Sequence, residues 1–401
     1  MIKNNFCKRI EKYIFWLIVA ALAFKLVLFL YIVFVDPASI MQVDSSGYLS
    51  DAKAWMQYFG VPSEGLRHSI YRTPGYSLFL AIFHFGLNLP LLGIIFLQIV
   101  LNVLTAFVVF KTVSSADRQT GLLSAAIVLL DLPMTIFSTM ILTESLHVFV
   151  LSLFLYAFVK YIDNRRLCWL ASAAVLLGGA VYIRPVGYFL GFALAAFVLY
   201  LWGTKKILTG IIHAMFVLML VYGFLGIWEY HNLKVHREYG EFTMSTISRS
   251  TIRLDGIIGR YARETDPRLR AMPPVLYYVH SVGRNFLNLM TDPGNMKCYH
   301  SKALRNFGAV FGYAFVIFWW TGLIFGMRQC RFDVIRQFFF MVLLYFIAIS
   351  LVSTGWHVTP RFRIPMVPAI AVLCAQGWMA LLYGKTKRLL TDPKAQSRLI
   401  P

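Results

Sequence analysis

Charged residues are scarce in this 401-residue chain: Asp, Glu, Lys and Arg make up 14% of it. Soluble globular proteins carry about 25% charged residues, so the composition excludes a large soluble core. Hydrophobic residues account for 59% of the sequence and aromatic residues for 16%, and the mean hydropathy is +0.66. Repeated apolar runs of about 20 residues are long enough to cross a bilayer as helices. The sequence therefore predicts an all-α polytopic membrane protein.

Sequence signals for disulfides, metals and nucleotides are also missing. The five cysteines form no CxxC pair, which argues against a disulfide framework or a zinc site. The nine histidines show no HExxH pattern, and there is no GxxxxGK[ST] loop to bind nucleotide phosphates. Glu144 and His147 have a spacing that can bind metal, yet no second carboxylate-rich segment accompanies them. We expect no metal and no other cofactor, and an ATP-driven machine is disfavoured.

Basic residues are numerous but are spread along the chain. Lys and Arg total 38 against 18 Asp and Glu, a formal net charge of +20. They lie in short clusters between apolar runs, which is how membrane proteins encode orientation, so we expect no nucleic-acid partner. Lys3, Lys8, Arg9 and Lys12 place the start of the first run in the cytoplasm. That run resembles a signal peptide, but its length of about 22 residues indicates an uncleaved spanning helix.

About ten (ten to twelve) transmembrane helices are predicted. Their approximate ranges are 13–35, 90–113, 120–138, 141–161, 167–183, 186–202, 207–228, 306–327, 335–354 and 364–383. Every short loop assigned to the cytoplasm is then net basic, as the positive-inside rule requires. Residues 1–390 form one transmembrane domain with outer loops at 36–89 and 229–305, and residues 391–401 form a short cytoplasmic tail. Residues 76–87 are too short to cross; counting them as a span is the alternative, and it would invert every later helix.

The first outer loop concentrates charge around a predicted amphipathic helix, residues 46–59. An apolar stripe suited to the bilayer surface recurs there at three- and four-residue spacing: Tyr48, Ala52, Trp55, Met56 and Phe59. Asp44 lies at the entrance of this helix and is either a functional carboxylate or a helix cap. Asp51, one heptad further on, is expected to be solvated or paired with an arginine.

Ionisable residues from distant parts of the sequence map to the same outer face. Ionisable groups near the hydrocarbon region are costly and usually face a cavity or a partner, so one polar site is expected there. Its members are Asp44, Asp51, Arg72, Glu144, Arg184, His357, Arg361 and Arg363. Asp131 precedes Pro133 in the third predicted helix, and it is instead expected to bond backbone groups that the kink sets free.

The stretch TPRFRIP at 359–365 predicts a phosphate-binding pair. A proline disfavours helix in the residue before it, so Thr359 and Ile364 tend to be extended. Residues two apart in an extended segment face the same way, so Arg361 and Arg363 are expected to point together. Two adjacent guanidiniums suit a phosphate or pyrophosphate; anchoring to lipid headgroups is the alternative.

Five motifs together resemble those of the GT-C membrane glycosyltransferases, in the branch that contains protein O-mannosyltransferases and lipid A aminoarabinose transferases. The motifs are VDSSGYLSDA at 43–52, YRTPGYSLFLAIF at 71–83, MILTESLHVF at 140–149, YIRPVGYFL at 182–190 and RFRIPMVPAIAVL at 361–373. They occur in the family's order. Each is weak alone, and together they are more specific for the superfamily than for a substrate.

The resemblance implies that a sugar passes from a polyprenyl-phosphate-linked donor to an extracytoplasmic acceptor with inversion, and that Asp44 is the general base. It implies that arginines stabilise the leaving phosphate. The implied substrate-binding residues are Tyr71, Arg72, Glu144, Arg184, His357, Arg361, Arg363 and Asp51. The implied partners are the donor, membrane lipids and a lipid, glycan or protein acceptor, and the expected location is the bacterial inner membrane.

The chain departs from the family at two points. It has one acidic residue, Asp44, where some relatives carry a pair, and no large soluble domain follows the last predicted helix; the first departure leaves a role for a divalent cation open. The alternative functions are a transporter or flippase for a lipid-linked or anionic substrate, and a non-catalytic assembly protein. A transporter predicts charges near mid-membrane and inverted repeats, whereas the charges here cluster outside and no clear repeat is present.

Overall fold

The computed structural model describes residues 2–58, 73–115, 117–238, 272–294, 299, 301–328, 333–353 and 359–391. Within these ranges the chain forms α-helices joined by short 3-10 and π segments, and it contains no β-strand. The predicted all-α class is confirmed.

Fourteen α-helices lie in the described ranges. In chain order they are α1 Ile2–Phe34, α2 Ser45–Tyr58, α3 Gly75–Leu80, α4 Leu91–Ser114, α5 Arg118–Leu130, α6 Leu132–Phe137, α7 Glu144–Asn164, α8 Leu167–Ile183, α9 Leu190–Trp202, α10 Ile207–Glu238, α11 Pro274–Thr291, α12 Lys302–Arg328, α13 Val334–Ser353 and α14 Val367–Thr391. A π segment, Ala81–Gly86, continues α3, and 3-10 helices occupy Pro37–Ile40 and Pro360–Met366.

Eight helices of the described chain are long and apolar enough to cross a membrane. They are Lys8–Phe34, Leu91–Ser114, Glu144–Asn164, Pro185–Trp202, Thr204–Tyr230, Lys302–Arg328, Val334–Leu351 and Pro360–Leu382. The predicted count of about ten is not confirmed, because two of the ten predicted helices are shorter: α5 has 13 residues and α8 has 17. The segment Gly75–Gly86 is also a short apolar helix, as its sequence length predicts.

The third predicted helix is interrupted where its proline lies. Asp131 has an extended backbone, ends α5 and caps α6, and its Oδ1 accepts a 2.9 Å hydrogen bond from the Met134 backbone N–H. Pro133 cannot donate a helical hydrogen bond, so the side chain of Asp131 satisfies a donor that the break exposes. The predicted role of Asp131 at the kink is confirmed. The chain then runs through residues 138–143 without helix and restarts at Glu144.

The helices alternate in direction, and this separates two chemically different ends of the bundle. Helix α7 runs from Glu144 to Asn164, about 31 Å at 1.5 Å per residue, and α8 returns to Arg184. At the far end, Tyr161 bonds His213 Nδ1 at 2.8 Å and accepts a 2.9 Å bond from Trp202. The short basic loops lie at that end, whereas Glu144 and Arg184 lie at the other. We call the two the basic end and the site end.

The first loop forms the predicted helix, but the helix packs on protein. Helix α2 covers Ser45–Tyr58. Ala52 is fully buried, Trp55 contacts Trp228 with ring centroids 6.2 Å apart, and Tyr48 meets Tyr76 at 5.1 Å. This part of the predicted apolar stripe therefore faces the protein rather than the bilayer surface. Asp51 is 3% exposed, so the first of its two expected states, solvated, is wrong.

Candidate active site

Asp44 is held in place by the residues that flank it. Ser45 Oγ donates a 2.9 Å hydrogen bond to the Ile141 carbonyl, and the Ile141 N–H donates to the Ile40 carbonyl at 2.9 Å. These bonds fix the start of α2 against the non-helical chain that leads into α7. The side chain of Asp44 keeps 41% of its surface exposed, so it can meet a ligand.

Glu144 is the first residue of α7 and is almost completely buried. Its side chain is 1% exposed, and its Oε1 accepts a 2.9 Å bond from Arg184 Nη1 and a second bond from Arg361 Nε. A carboxylate in the first turn of a helix also interacts favourably with the positive end of the helix dipole. Glu144 therefore holds two guanidiniums at a fixed place.

Arg184 is positioned by close packing at the end of α8. Thr73 Oγ1 donates a 3.1 Å bond to the carbonyl of Ile183, the neighbouring residue. A Cβ at Gly75 would lie 2.8 Å from the Tyr182 carbonyl oxygen, so only glycine allows this approach of α3 to α8. The motifs at 71–83 and 182–190 thus meet in space and deliver Arg184 to Glu144.

Arg361 joins the two carboxylates. Its Nη1 donates to Asp44 Oδ2 at 2.9 Å, and its Nε donates to Glu144. Asp44, Glu144, Arg184 and Arg361 come from four distant segments; we call them the charged cluster. Two carboxylates and two guanidiniums leave the cluster with no formal net charge. The sequence predicted that these four residues share one face, and the structure brings them into contact.

Arg361 and Arg363 do not point together, contrary to the prediction. Residues 360–366 form a 3-10 helix rather than an extended strand, and at three residues per turn side chains two residues apart point about 120° away from each other. Arg363 is 2% exposed, and its Nη1 donates to the carbonyls of Leu289 and Asp292 at 3.0 and 2.8 Å. It therefore contacts the end of α11 and not the charged cluster.

Tyr48, which was predicted only as a member of the apolar stripe, borders the charged cluster. Tyr48 lies one turn beyond Asp44 in α2, and its hydroxyl interacts with the charges of all four cluster residues. Burial first, and then the negative charge of Glu144, raise the pKa of Tyr48 above its ordinary value, so it stays a neutral hydroxyl at neutral pH. Its i+4 spacing from Asp44 was the feature of the sequence that could have placed Tyr48 on the same helix face as Asp44.

A second set of buried polar groups supports the chain that precedes Glu144. Tyr76 donates a 2.7 Å bond to Gln98 Oε1, and Gln98 Nε2 donates to the carbonyls of Met140 and Ser138 at 2.6 and 3.2 Å. Gln98 lies within the apolar helix α4, where a polar side chain is expensive without partners. Its position there was the signal in the sequence that this face of α4 contacts polar backbone.

No group of three or more potential metal ligands occurs in the part of the chain that the structure describes. His147 lies one turn after Glu144 and is fully buried, and neither of its ring nitrogens has a hydrogen-bond partner among the described residues. Tyr71, Arg72 and His357 were predicted to bind substrate and lie outside the described residues. Much of the predicted long outer loop, residues 239–271, also lies outside them.

The charged cluster has the components of a group-transfer site. A half-exposed carboxylate, Asp44, can accept a proton, and two guanidiniums nearby can stabilise a developing negative charge. Glu144 is too deeply buried to meet a substrate, so its role is to hold the arginines. Asp51 is buried in α2, and its predicted contact with substrate finds no support in the geometry.

A comparison with protein families agrees with the motifs. Residues 72–228 match the model of a family described as dolichyl-phosphate-mannose-protein mannosyltransferase. Among solved structures, the archaeal oligosaccharyltransferase AglB from Archaeoglobus fulgidus, in complex with an inhibitory peptide and a dolichol-phosphate, matches 80% of this chain. The identity is 13%, the TM-score is 0.44, and the chain spans 44% of that protein; a TM-score of this size carries no argument. No curated protein matches the chain significantly. The family match includes Glu144 and Arg184, and it agrees with the predicted resemblance to the GT-C membrane glycosyltransferases: residues 72–228 of this chain are similar to that mannosyltransferase family.

Proposed function

We propose that this protein is an integral-membrane glycosyltransferase of the GT-C type. It moves a sugar from a polyprenyl-phosphate-linked donor to an extracytoplasmic acceptor, which is a lipid, a glycan or a protein. The observation that carries the proposal is the contact of Arg361 with both Asp44 and Glu144, because it places an accessible carboxylate beside fixed positive charge. The family match supports the donor class.

Asp44 acts as the general base in a single displacement. The acceptor hydroxyl or amine gives its proton to Asp44 while its oxygen or nitrogen forms a bond to the anomeric carbon of the sugar. The bond from the anomeric carbon to the phosphate oxygen breaks on the opposite side, and polyprenyl phosphate leaves with the electron pair. Attack opposite the leaving group inverts the anomeric configuration.

Arg361 and Arg184 stabilise the phosphate as it leaves. Breaking the bond adds negative charge to the phosphate, and preorganised cations in a site sheltered from water stabilise that charge most effectively. The side chains of Arg361 and Arg184 are 24% and 14% exposed, so part of each side chain is accessible. Glu144 fixes both without itself meeting the substrate.

The site end faces away from the cytoplasm in this proposal. The short loops at the basic end carry Lys and Arg, and such loops remain cytoplasmic in membrane proteins. Because α7 and α8 each connect that end to the charged cluster, the cluster lies on the extracytoplasmic side. The N-terminus is then cytoplasmic, and a bacterial inner membrane provides this arrangement.

The test is Asp44→Asn in membranes supplied with radiolabelled polyprenyl-phosphate mannose, a probe chosen because the matched family is named for a mannose donor. General base catalysis contributes about 10²- to 10⁴-fold, so the variant should transfer at least about 100-fold more slowly at an equal protein level. Other polyprenyl-phosphate sugars are tested in parallel, and the products are identified by mass spectrometry.

Asp333→Asn is the matched control, since it removes a carboxylate at the basic end and keeps an oxygen to accept from the Ile335 N–H. It should transfer at the wild-type rate. Sugar transfer by Asp44→Asn at the wild-type rate would show that Asp44 is not the general base. Movement of the labelled donor across the membrane without transfer to any acceptor would instead support the transporter.

A further inference from the structure

Arg363 makes contacts that a lipid-facing or phosphate-binding arginine would not make. It donates to the Leu289 and Asp292 carbonyls at the C-terminal end of α11, and its guanidinium lies 5.6 Å from the centroid of the Trp319 ring. The carboxylates of Asp131 and Asp292 also interact with its charge. A cation at the carbonyl end of a helix stabilises that end. Arg363 therefore ties the 3-10 segment to α11 and α12.

The 3-10 segment is fixed at its other residues as well. Ile364, Pro365 and Met366 are buried. Arg361 lies two residues before Arg363 on this short, tightly wound element, and its side chain donates to both carboxylates of the charged cluster. The place of the Arg361 backbone, and therefore the reach of its guanidinium, depends on how the segment is anchored.

We infer that Arg363 is a positioning residue for the donor phosphate and acts through Arg361. It holds the 3-10 segment against α11, so that Arg361 lies between Asp44 and Glu144 where the phosphate leaves. The inference rests on the proposed function, because it takes Arg361 as a phosphate ligand. It replaces the sequence-based expectation that both arginines bind the phosphate directly.

A double-mutant cycle distinguishes positioning of Arg361 by Arg363 from direct binding of the phosphate by Arg363. An effect of Arg363 that is transmitted through Arg361 disappears once Arg361 is replaced. Purified protein in lipid nanodiscs is titrated with polyprenyl phosphate, the common product of any donor in this class. A hydrogen-bonded charge pair contributes about 1.5–3 kcal/mol, so Arg361→Gln should weaken binding about 10- to 100-fold. Arg363→Gln should weaken it about 10-fold, and the double variant should bind no more weakly than Arg361→Gln alone.

Tyr161→Phe is the matched control: it removes a buried tyrosine hydroxyl with two hydrogen-bond contacts at the basic end and should leave the affinity unchanged while lowering the melting temperature. If Arg363→Gln is not produced in folded form, Arg363→Lys keeps the charge and should show part of the same loss.

Three results would overturn the inference. If the losses of affinity of the two single variants multiply in the double variant, Arg363 binds the phosphate itself. If Arg363→Gln binds polyprenyl phosphate with wild-type affinity but has a lowered melting temperature, Arg363 only stabilises the fold. Failure of the wild-type protein to bind polyprenyl phosphate would overturn the proposed function, and the inference with it.

Discussion

Glu144 lies at the centre of the charged cluster, and both Arg184 and Arg361 contact it although its side chain is 1% exposed. Removing one partner of a buried ion pair leaves an uncompensated charge, which costs about 3–5 kcal/mol. Glu144→Gln would leave two guanidiniums close together without their counter-charge. We expect this variant to lose stability as well as transfer activity.

Thermal unfolding of the purified protein in detergent checks this expectation, with Asp44→Asn as the comparison. Asp44 is 41% exposed, and exposed ion pairs contribute about 0–1 kcal/mol, so Asp44→Asn should unfold close to the wild-type temperature. Equal melting temperatures for both variants would contradict the central structural role of Glu144.

For single residues, the sequence predicted which residue types converge at the site end but not how their side chains pair. Proximity of Asp44, Glu144, Arg184 and Arg361 followed from topology and charge alone. The direction of Arg363 did not, because two prolines suggested extended chain where the structure forms a 3-10 turn with Ile364 and Met366 buried. Backbone conformation over a few residues is decided by packing that a sequence pattern does not contain.

Among the helices, a buried lysine in α1 contacts α6, the short helix that follows the break after α5. Lys25 is 2% exposed, its Nζ donates a 2.6 Å bond to Thr135 Oγ1, and its charge interacts with Asp131. Asp131 in turn caps α6. Lys25 thus joins α1 to α6, the short helix that precedes the non-helical chain leading to Glu144. No pattern predicted this contact, because it joins residues 110 positions apart.

Lys25→Met removes a buried donor to Thr135 and should destabilise the protein by about 1.5–3 kcal/mol. Asp131→Asn should also destabilise it, and the double variant should lose clearly less than the sum. The asparagine side chain retains an oxygen for the Met134 N–H, so the helix cap survives and the charge effect is isolated. Unfolding of the three variants in detergent measures the coupling. Strictly additive losses would show that the two charges do not stabilise each other.

Helices α12 and α14 approach so closely that glycine is required where they cross. A Cβ at Gly377 would overlap the carbonyl oxygen of Gly322, and a Cβ at Gly326 would overlap that of Leu373. Gly377→Ala must therefore separate the two helices, and overpacking of this kind costs about 1–3 kcal/mol.

Gly226→Ala in α10 is the control for that substitution. Its added Cβ would meet no described atom within 4 Å, so the change should be neutral or stabilise by up to about 1 kcal/mol. Melting temperatures of the two variants give the comparison. A loss at Gly226 as large as the loss at Gly377 would contradict close helix packing as the cause of the effect at Gly377.

The whole molecule has two ends, and the sequence predicted this division well because helices in lipid must be long, apolar and alternating. The number of spanning helices was less predictable. A 13-residue α5 and a 17-residue α8 are shorter than the about 20 residues that a span requires, and they are covered by longer neighbours. Helix length in the bundle is thus set by tertiary contacts as well as by the bilayer.

The orientation of these two ends can be tested with single cysteines in a chain whose five native cysteines are replaced by alanine. Val43 is 96% exposed beside Asp44, and Lys205 is exposed at the basic end. A membrane-impermeant maleimide added to intact cells or spheroplasts should label Val43→Cys at once and Lys205→Cys only after permeabilisation. The reverse labelling pattern would place the charged cluster in the cytoplasm and the basic loops outside. It would therefore contradict an extracytoplasmic transfer reaction.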